Sequence, residues 1–296
     1  MASAAIVGTS SGALVGALIA AGLPATDLLS AGGPRILAAV VEAEGLPGLG
    51  VDLGETLARY VNGWSSRTPG SWALARSELL RPRPRNLLKV LSGLLPEGSA
   101  STDGIRDVVR RWTPNGWPLA PRLWVVTCDY TTGERVVFGR HGAPPAYLPE
   151  AIAASCAMPS YYQPVTIAGR VLVDGAVHSA SNLDLLHGRR LDLVVAFNPL
   201  SSRADLLGDP LGRIVTARRR LLSRRLEREA AVLRAEGTRV LLIEPAAVDL
   251  VARGRARRTP EQVDDLARLA EDTVAEQLES PRASEQLAGL DLVAAG

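Results

Sequence analysis

The stretch Ala4-Ala5-Ile6-Val7-Gly8-Thr9-Ser10-Ser11-Gly12-Ala13-Leu14-Val15-Gly16-Ala17-Leu18-Ile19-Ala20 changes its hydrophobic period at the glycines. Ala4-Ala5-Ile6-Val7 has the character of a short buried strand. Ala13 to Ala20 has that of a buried helix, ending at Gly22 and Pro24. Met1 to Thr26 carries no charge, which invites a signal-peptide or membrane-span reading. A signal peptide opens on basic residues, and the first basic residue here is Arg35. A spanning helix needs roughly 20 continuously apolar residues, and this run is broken by Gly8, Thr9, Ser10, Ser11 and Gly12. Strand, tight turn, helix is the better account.

Between that strand and that helix, Gly8-Thr9-Ser10-Ser11-Gly12 spells G-x-S-x-G, the setting a nucleophile elbow requires. A turn this sharp forces its central residue into a strained backbone geometry and pushes the hydroxyl outward. Gly8 and Gly12 on either side leave room for the fold-back. The following helix aims its first amides and positive dipole end at the place where an oxyanion would develop, with the amide of Ser11 as the first donor. The competing account is an ordinary Gly-rich turn.

Working outward, 47% hydrophobic and 22% charged residues in a chain of 296 fit a globular core and exclude a disordered or coiled-coil protein. The net charge of +2 builds in no general attraction to nucleic acid, and 4% aromatics give little for base stacking. No nucleic-acid partner is therefore expected. Lys89 is the only lysine among 33 basic residues, which points to genomic composition bias. Cys128 and Cys156 are too few for a disulfide framework, so a reducing, cytoplasmic setting is the simpler assumption. His141, His178 and His187 have no zinc-ligand spacing with those cysteines. Neither a metal nor a cofactor is expected.

Periodicity predicts helices near Pro34–Glu44, Gly54–Val61, Ser71–Leu80, Asn86–Leu94 and Thr102–Trp112. Strands are predicted over Leu123–Cys128 and Arg135–Phe138 around the turn Thr131-Thr132-Gly133. A helix Pro149–Ala157 follows, then strands Val165–Ile167 and Val171–Val173 around Ala168-Gly169-Arg170. Leu193–Phe197 and Val240–Ile243 read as central parallel strands buried on both faces, joined by a long helix from Pro210 to Glu236. Another amphipathic helix, Pro260–Leu278, covers the end. With no repeat and no obvious linker, residues 1–296 read as a single α/β domain, with 201–296 its C-terminal helix-strand-helix part. Arginines 218, 219, 220, 224, 225 and 228 crowd the long helix. Anionic headgroups would attract such a face. A solvated face compensated by Glu227, Glu229 and Glu236 is the preferred reading.

A serine hydroxyl needs a base. Asp174 stands at the end of the strand Val171-Leu172-Val173 and opens the turn Asp174-Gly175-Ala176, which could equally be an ordinary D-G turn. Together, Gly8-Thr9-Ser10-Ser11-Gly12-Ala13-Leu14 and Asp174-Gly175-Ala176 resemble the elbow and the D-G-[GA] element of the patatin-like phospholipase family, a group of serine acyl hydrolases. Between them, Ala153-Ala154-Ser155-Cys156-Ala157-Met158-Pro159 is similar to the family's helix that runs into a proline. Thr127-Cys128-Asp129 with Thr132-Gly133-Glu134 resembles its strand-hairpin segment, and Asn182 stands where members often carry an asparagine or a proline-rich turn after D-G. The pieces occur in order from residue 3 to about 200. The resemblance implies a three-layer α/β/α fold with a mostly parallel sheet. It also implies a Ser-Asp dyad carried by Ser10 and Asp174, with Ser11, Gly8, Gly12 and Gly175 as oxyanion and motif positions. Its substrates would be lipid acyl esters, met at most through a transient membrane-surface contact and hydrolysed without a metal.

The chain also departs from that pattern. Family members place a strand and a Gly-rich oxyanion loop before the elbow, whereas seven residues precede Gly8 here. Ala31-Gly32-Gly33-Pro34-Arg35 resembles the loop faintly but follows the elbow helix. The expectation is a chain lacking those elements, by a truncated start or as a weakened enzyme. One rival is therefore a patatin-like domain kept for binding lipid or a partner. Another is an α/β-hydrolase with His178 or His187 as third member of a triad.

Overall fold

In the computed structural model, residues 5–23, 70–80, 87–119, 122–204, 210–253 and 260–289 are described. The predicted helices near Pro34–Glu44 and Gly54–Val61, and the segment Ala31–Arg35, lie outside them. The chain divides between Asn182 and Leu183 into two compact units.

The first unit is built on a mixed five-stranded sheet. It comprises β1 (Ala5–Thr9), β2 (Arg122–Asp129), β3 (Arg135–Phe138), β4 (Val165–Ile167) and β5 (Arg170–Asp174). β1 runs parallel to β2, whereas β3 and β5 run antiparallel to it and β4 antiparallel to β5. The expected mostly parallel sheet is thus mixed in this unit. Short connections are the reason: the turn after Asp129 and the turn Ala168-Gly169 can only reverse the chain. Gly133 at φ 70° closes the first turn, and Ala168 at φ 49° with Gly169 at φ 75° closes the second.

The register carries a consequence for everything downstream. β3 occupies one edge of β2 along Val125–Cys128. The opposite edge is shared, with β1 along Arg122–Val126 and β5 along Thr127–Asp129. Thr9 pairs with Val126 and Asp174 with Thr127. The C-terminal ends of β1 and β5 therefore meet head to head on one edge of β2.

Helices cover both faces. On one side α1 (Ser11–Ala20), α4 (Asp103–Trp112) and α5 (Leu148–Cys156) bury Ala17, Leu18, Val109 and Ile152 against Leu123, Val125 and Leu172. On the other, Leu74 of α2 (Trp72–Leu79) packs with Cys128, Tyr130 and Val173. Leu172 and Val173 fall into different clusters because successive strand side chains point to opposite faces. α3 (Leu87–Leu94) packs beside α2. Its buried Lys89 donates to the carbonyl of Gly133 at 2.6 Å and pairs with Glu78 at 3.7 Å. The lysine that composition made conspicuous is a tie between α2, α3 and the β2–β3 turn.

In the second unit, β6 (Leu193–Phe197) and β7 (Arg239–Ile243) form a parallel pair linked by α6 (Pro210–Ala235). Leu226, Ala230 and Leu233 of α6 pack on Val194 and Val240. α9 (Pro281–Leu287) buries Ala283 against Leu241 and Ile243. β7 is thus covered on both faces, as its apolar run predicts. β6 is not, since Val195 is 40% and Phe197 65% exposed. Two further helices, α7 (Ala247–Arg253) and α8 (Pro260–Glu279), complete the unit among the described residues. Gln277 of α8 accepts from the amide of Glu244 and donates to its carbonyl, while Gln286 of α9 accepts from the amide of Val240. Side-chain amides thereby satisfy backbone groups along β7 that a neighbouring strand would otherwise take. On α6, Glu227 meets Arg203, Arg234 and Arg282, and Glu229 meets Arg225. Glu236, expected to compensate arginine, pairs with His187 instead.

Candidate active site

Ser10 stands between β1 and α1 at φ 56°, ψ −128°. A non-glycine residue in such a conformation costs on the order of 1–3 kcal/mol and persists only where its surroundings over-determine it. Several contacts do so here. The carbonyl of Ser10 accepts from the amides of Ala13 at 2.8 Å and Leu14 at 3.2 Å, which starts the helix immediately. Gly8 lies beneath that fold-back, where a Cβ would run into the Ala13 backbone and come within 2.6 Å of the Gly12 carbonyl. Gly12 is different: a Cβ there meets nothing within 4 Å, and the residue is exposed. The expected crowding is therefore found on the strand side of the elbow only.

The amide of Ser10 donates to Ser155 Oγ at 2.9 Å, and that hydroxyl donates in turn to the carbonyl of Val126 at 2.6 Å. Thr9 Oγ1 accepts from Asn182 Nδ2 at 3.1 Å. Asn182, itself at φ 50° and 1% exposed, also donates to the carbonyl of Ser179 at 2.7 Å and accepts from Arg135 at 3.2 Å. Periodicity alone does not reveal these two supports. Ser155 had one signal, a single hydroxyl in the otherwise apolar run Ala151–Ala157. A buried polar group of that kind must find partners.

Asp174 closes β5 opposite Thr127 and is 1% exposed. Its amide donates to the carbonyl of Ala157 at 2.9 Å. Its Oδ1 accepts from the amide of Ala176 at 2.8 Å, capping the short 3-10 turn Gly175–Val177. The Ser10 hydroxyl acts on the same carboxylate and favours its ionised form. Burial pushes the Asp174 carboxyl up to about 6, against the lowering pull of the Ala176 amide and the Ser10 hydroxyl. Gly175 is dictated by space. A Cβ there would lie 2.5 Å from the carbonyl of Val126 and 3.0 Å from Thr9 Cγ2, so the turn can approach the elbow only as glycine.

The first amides of a helix have no intrahelical acceptor, and Ser11 opens α1 with no side-chain cap from Ser10 and no acid in the first turn. Ser11 itself is exposed. Among the other groups considered from sequence, His178 Nδ1 lies 3.3 Å from the carbonyl of Gly133, and His187 Nε2 lies 2.9 Å from Glu236. Cys128 and Cys156 are both buried free thiols, and burial pushes the Cys128 thiol up to about 12. Among the described residues, no group of three or more His, Cys, Asp or Glu side chains could hold a metal ion.

Chemically, the arrangement joins a hydroxyl on a strained turn, a buried carboxylate with affinity for a proton near neutral pH, and a helix start beside them. The family model for patatin-like phospholipases matches residues 4–187, a span that contains the elbow, the Ser155 helix and the Asp174-Gly175 turn. The chain therefore belongs to the patatin-like phospholipase family.

Proposed function

We propose that this chain is a lipid acyl hydrolase working through a Ser10–Asp174 dyad and an acyl-enzyme intermediate. The observation that carries the reading is that β1 and β5 end against each other on β2, which sets Ser10, on its turn at φ 56°, beside the buried Asp174, whose carboxyl is pushed up to about 6 by burial. A base of that strength is ionised at neutral pH and can still take and return a proton.

In the first half-reaction, Ser10 Oγ attacks the carbonyl carbon of the ester while its proton passes to Asp174. The carbonyl π electrons move onto oxygen, and the oxyanion faces the Ser11 amide at the start of α1. Collapse breaks the bond to the alcohol, which leaves with the proton held by Asp174. In the second half-reaction, water gives its proton to Asp174 and attacks the acyl carbon. The bond to Ser10 Oγ then breaks, the fatty acid departs, and Ser10 regains its proton. Atoms and charge balance without a cofactor or metal.

An acyl ester within a lipid aggregate is the substrate class proposed, reached by a transient contact with the lipid surface. Among the described residues, no helix is long and apolar enough to cross a membrane. The test is labelling by a fluorophosphonate probe, located by peptide mapping, together with turnover of p-nitrophenyl butyrate. Labelling at Ser10, abolished with turnover by Ser10→Ala, is the expected result. Absence of both in the parent protein would favour a lipid- or partner-binding role for the domain.

A further inference from the structure

We propose that Ser155 is a positioning residue whose hydroxyl holds the nucleophile elbow in register with Asp174. The inference rests on the dyad reading above and adds to it the element that sets the distance between its two members.

Ser155 lies at the C-terminal end of α5 and is fully buried. Its single proton is committed to the carbonyl of Val126 at 2.6 Å, so its lone pairs face the Ser10 amide, which donates to it at 2.9 Å. This direction matters. A hydroxyl that has given its proton to a backbone carbonyl has none to relay to Ser10 Oγ, so Ser155 holds the site without touching the reacting atoms. Val126 is the β2 residue opposite Thr9, the last residue of β1. Ser155 thus splices the first residue beyond the strand back onto the sheet, at the point where the chain leaves it with φ 56°.

The same helix end reaches the second member of the dyad. Two residues past Ser155, the carbonyl of Ala157 accepts from the amide of Asp174 at 2.9 Å. The segment 155–157 therefore holds the backbone of both dyad members, one through a side chain and the other through main chain. Only the Ser155 arm can be removed by substitution. Without it, the Ser10 amide is left unsatisfied at a strained turn, and the elbow is free to relax away from Asp174.

The experiment compares the parent protein with Ser155→Ala and Ser155→Thr by kcat and KM on p-nitrophenyl butyrate, the pH profile and the Tm. Ser155→Ala should lower kcat about 10- to 100-fold with KM within about 3-fold, the scale of a buried unsatisfied group. It should also move the acid limb of the profile above about 6, because the Ser10 hydroxyl that lowers the Asp174 pKa has shifted away. Ser155→Thr keeps the hydroxyl and should restore kcat even where its extra methyl lowers the Tm. Should Ser155→Ala not fold, Ser155→Cys takes its place, and its weaker hydrogen bond should again lower kcat at unchanged KM. Parent-like kcat and acid limb in Ser155→Ala, or kcat following the Tm across the variants, would overturn the proposal. Fluorophosphonate mapping separates the two layers. A parent protein not labelled at Ser10 defeats the dyad reading and this proposal together. A parent labelled at Ser10, with Ser155→Ala labelled at the same rate, defeats only the positioning role.

Discussion

Asp174 and Ser10 meet because β5 and β1 end against each other on one edge of β2, with Asp174 opposite Thr127 and Thr9 opposite Val126. The meeting buries the carboxylate, which keeps the Ala176 amide as a hydrogen-bond donor and the Ser10 hydroxyl as a further group favouring its ionised form. Because burial outweighs them and sets the pKa at about 6, kcat/KM should rise about tenfold per pH unit below that value and level off above it. A profile of kcat/KM from pH 4.5 to 8 checks this; a flat profile across pH 6 would exclude Asp174 as the base.

The same shift has a thermodynamic face. The folded pKa of about 6 lies above the ordinary value of 3.8, so the native state holds the proton more tightly than the unfolded chain. The stabilisation from this group is complete below about 3.8 and is lost as pH rises through about 6. Asp174→Asn cannot accept the serine proton and should lower turnover by about 10²–10⁴-fold. It should also gain stability relative to the parent protein as pH rises from 4.5 to 7.5, by on the order of 1–3 kcal/mol. Thermal unfolding of both proteins across that range measures the difference, and a constant difference would contradict it. His141→Ala, His178→Ala and His187→Ala should each keep most of the activity, which separates a dyad from a triad.

The strain at Ser10 can be measured directly. Ser10→Ala and Ser10→Gly both remove the hydroxyl, but only glycine adopts φ 56° without steric penalty. Ser10→Gly should therefore be more stable than Ser10→Ala by about 1 kcal/mol or more, with neither hydrolysing ester. Urea titration of the two variants provides the comparison. Equal midpoints would mean the elbow carries no strain.

Lys89 offers a test away from the site. Its ammonium and the Glu78 carboxylate are each 4% exposed and 3.7 Å apart. Lys89→Met would remove the ammonium that pairs with the buried carboxylate, at a cost of about 3–5 kcal/mol. Replacing both, as Lys89→Met with Glu78→Leu, should recover most of that loss. A double-mutant cycle read by chemical denaturation checks the coupling.

Local features of this protein were written in the sequence because neighbouring residues decide them. The period change across Gly8–Gly12, the strand Arg135–Phe138 after its turn and the glycine turns at 133 and 169 each reflect backbone preference within a few residues. The helix end at Trp112 and the strand Val165–Ile167 follow from the same signals, and the helix expected to run to Leu80 ends one residue earlier, at Leu79. The exposed face of β6 did not. Val195 and Phe197 belong to the kind of apolar run that elsewhere, in β7, is covered on both sides, and coverage is a matter of what packs there. The site's working parts were equally out of reach. Which edge of β2 takes β5, how far Asp174 is desolvated, and that Ser155 reaches the Ser10 amide are all contacts between residues distant in the chain. Residue type made Ser10 and Asp174 candidates, but only the packing of β1, β5 and α5 around Val126 gave the serine its strain and the carboxylate its affinity for a proton.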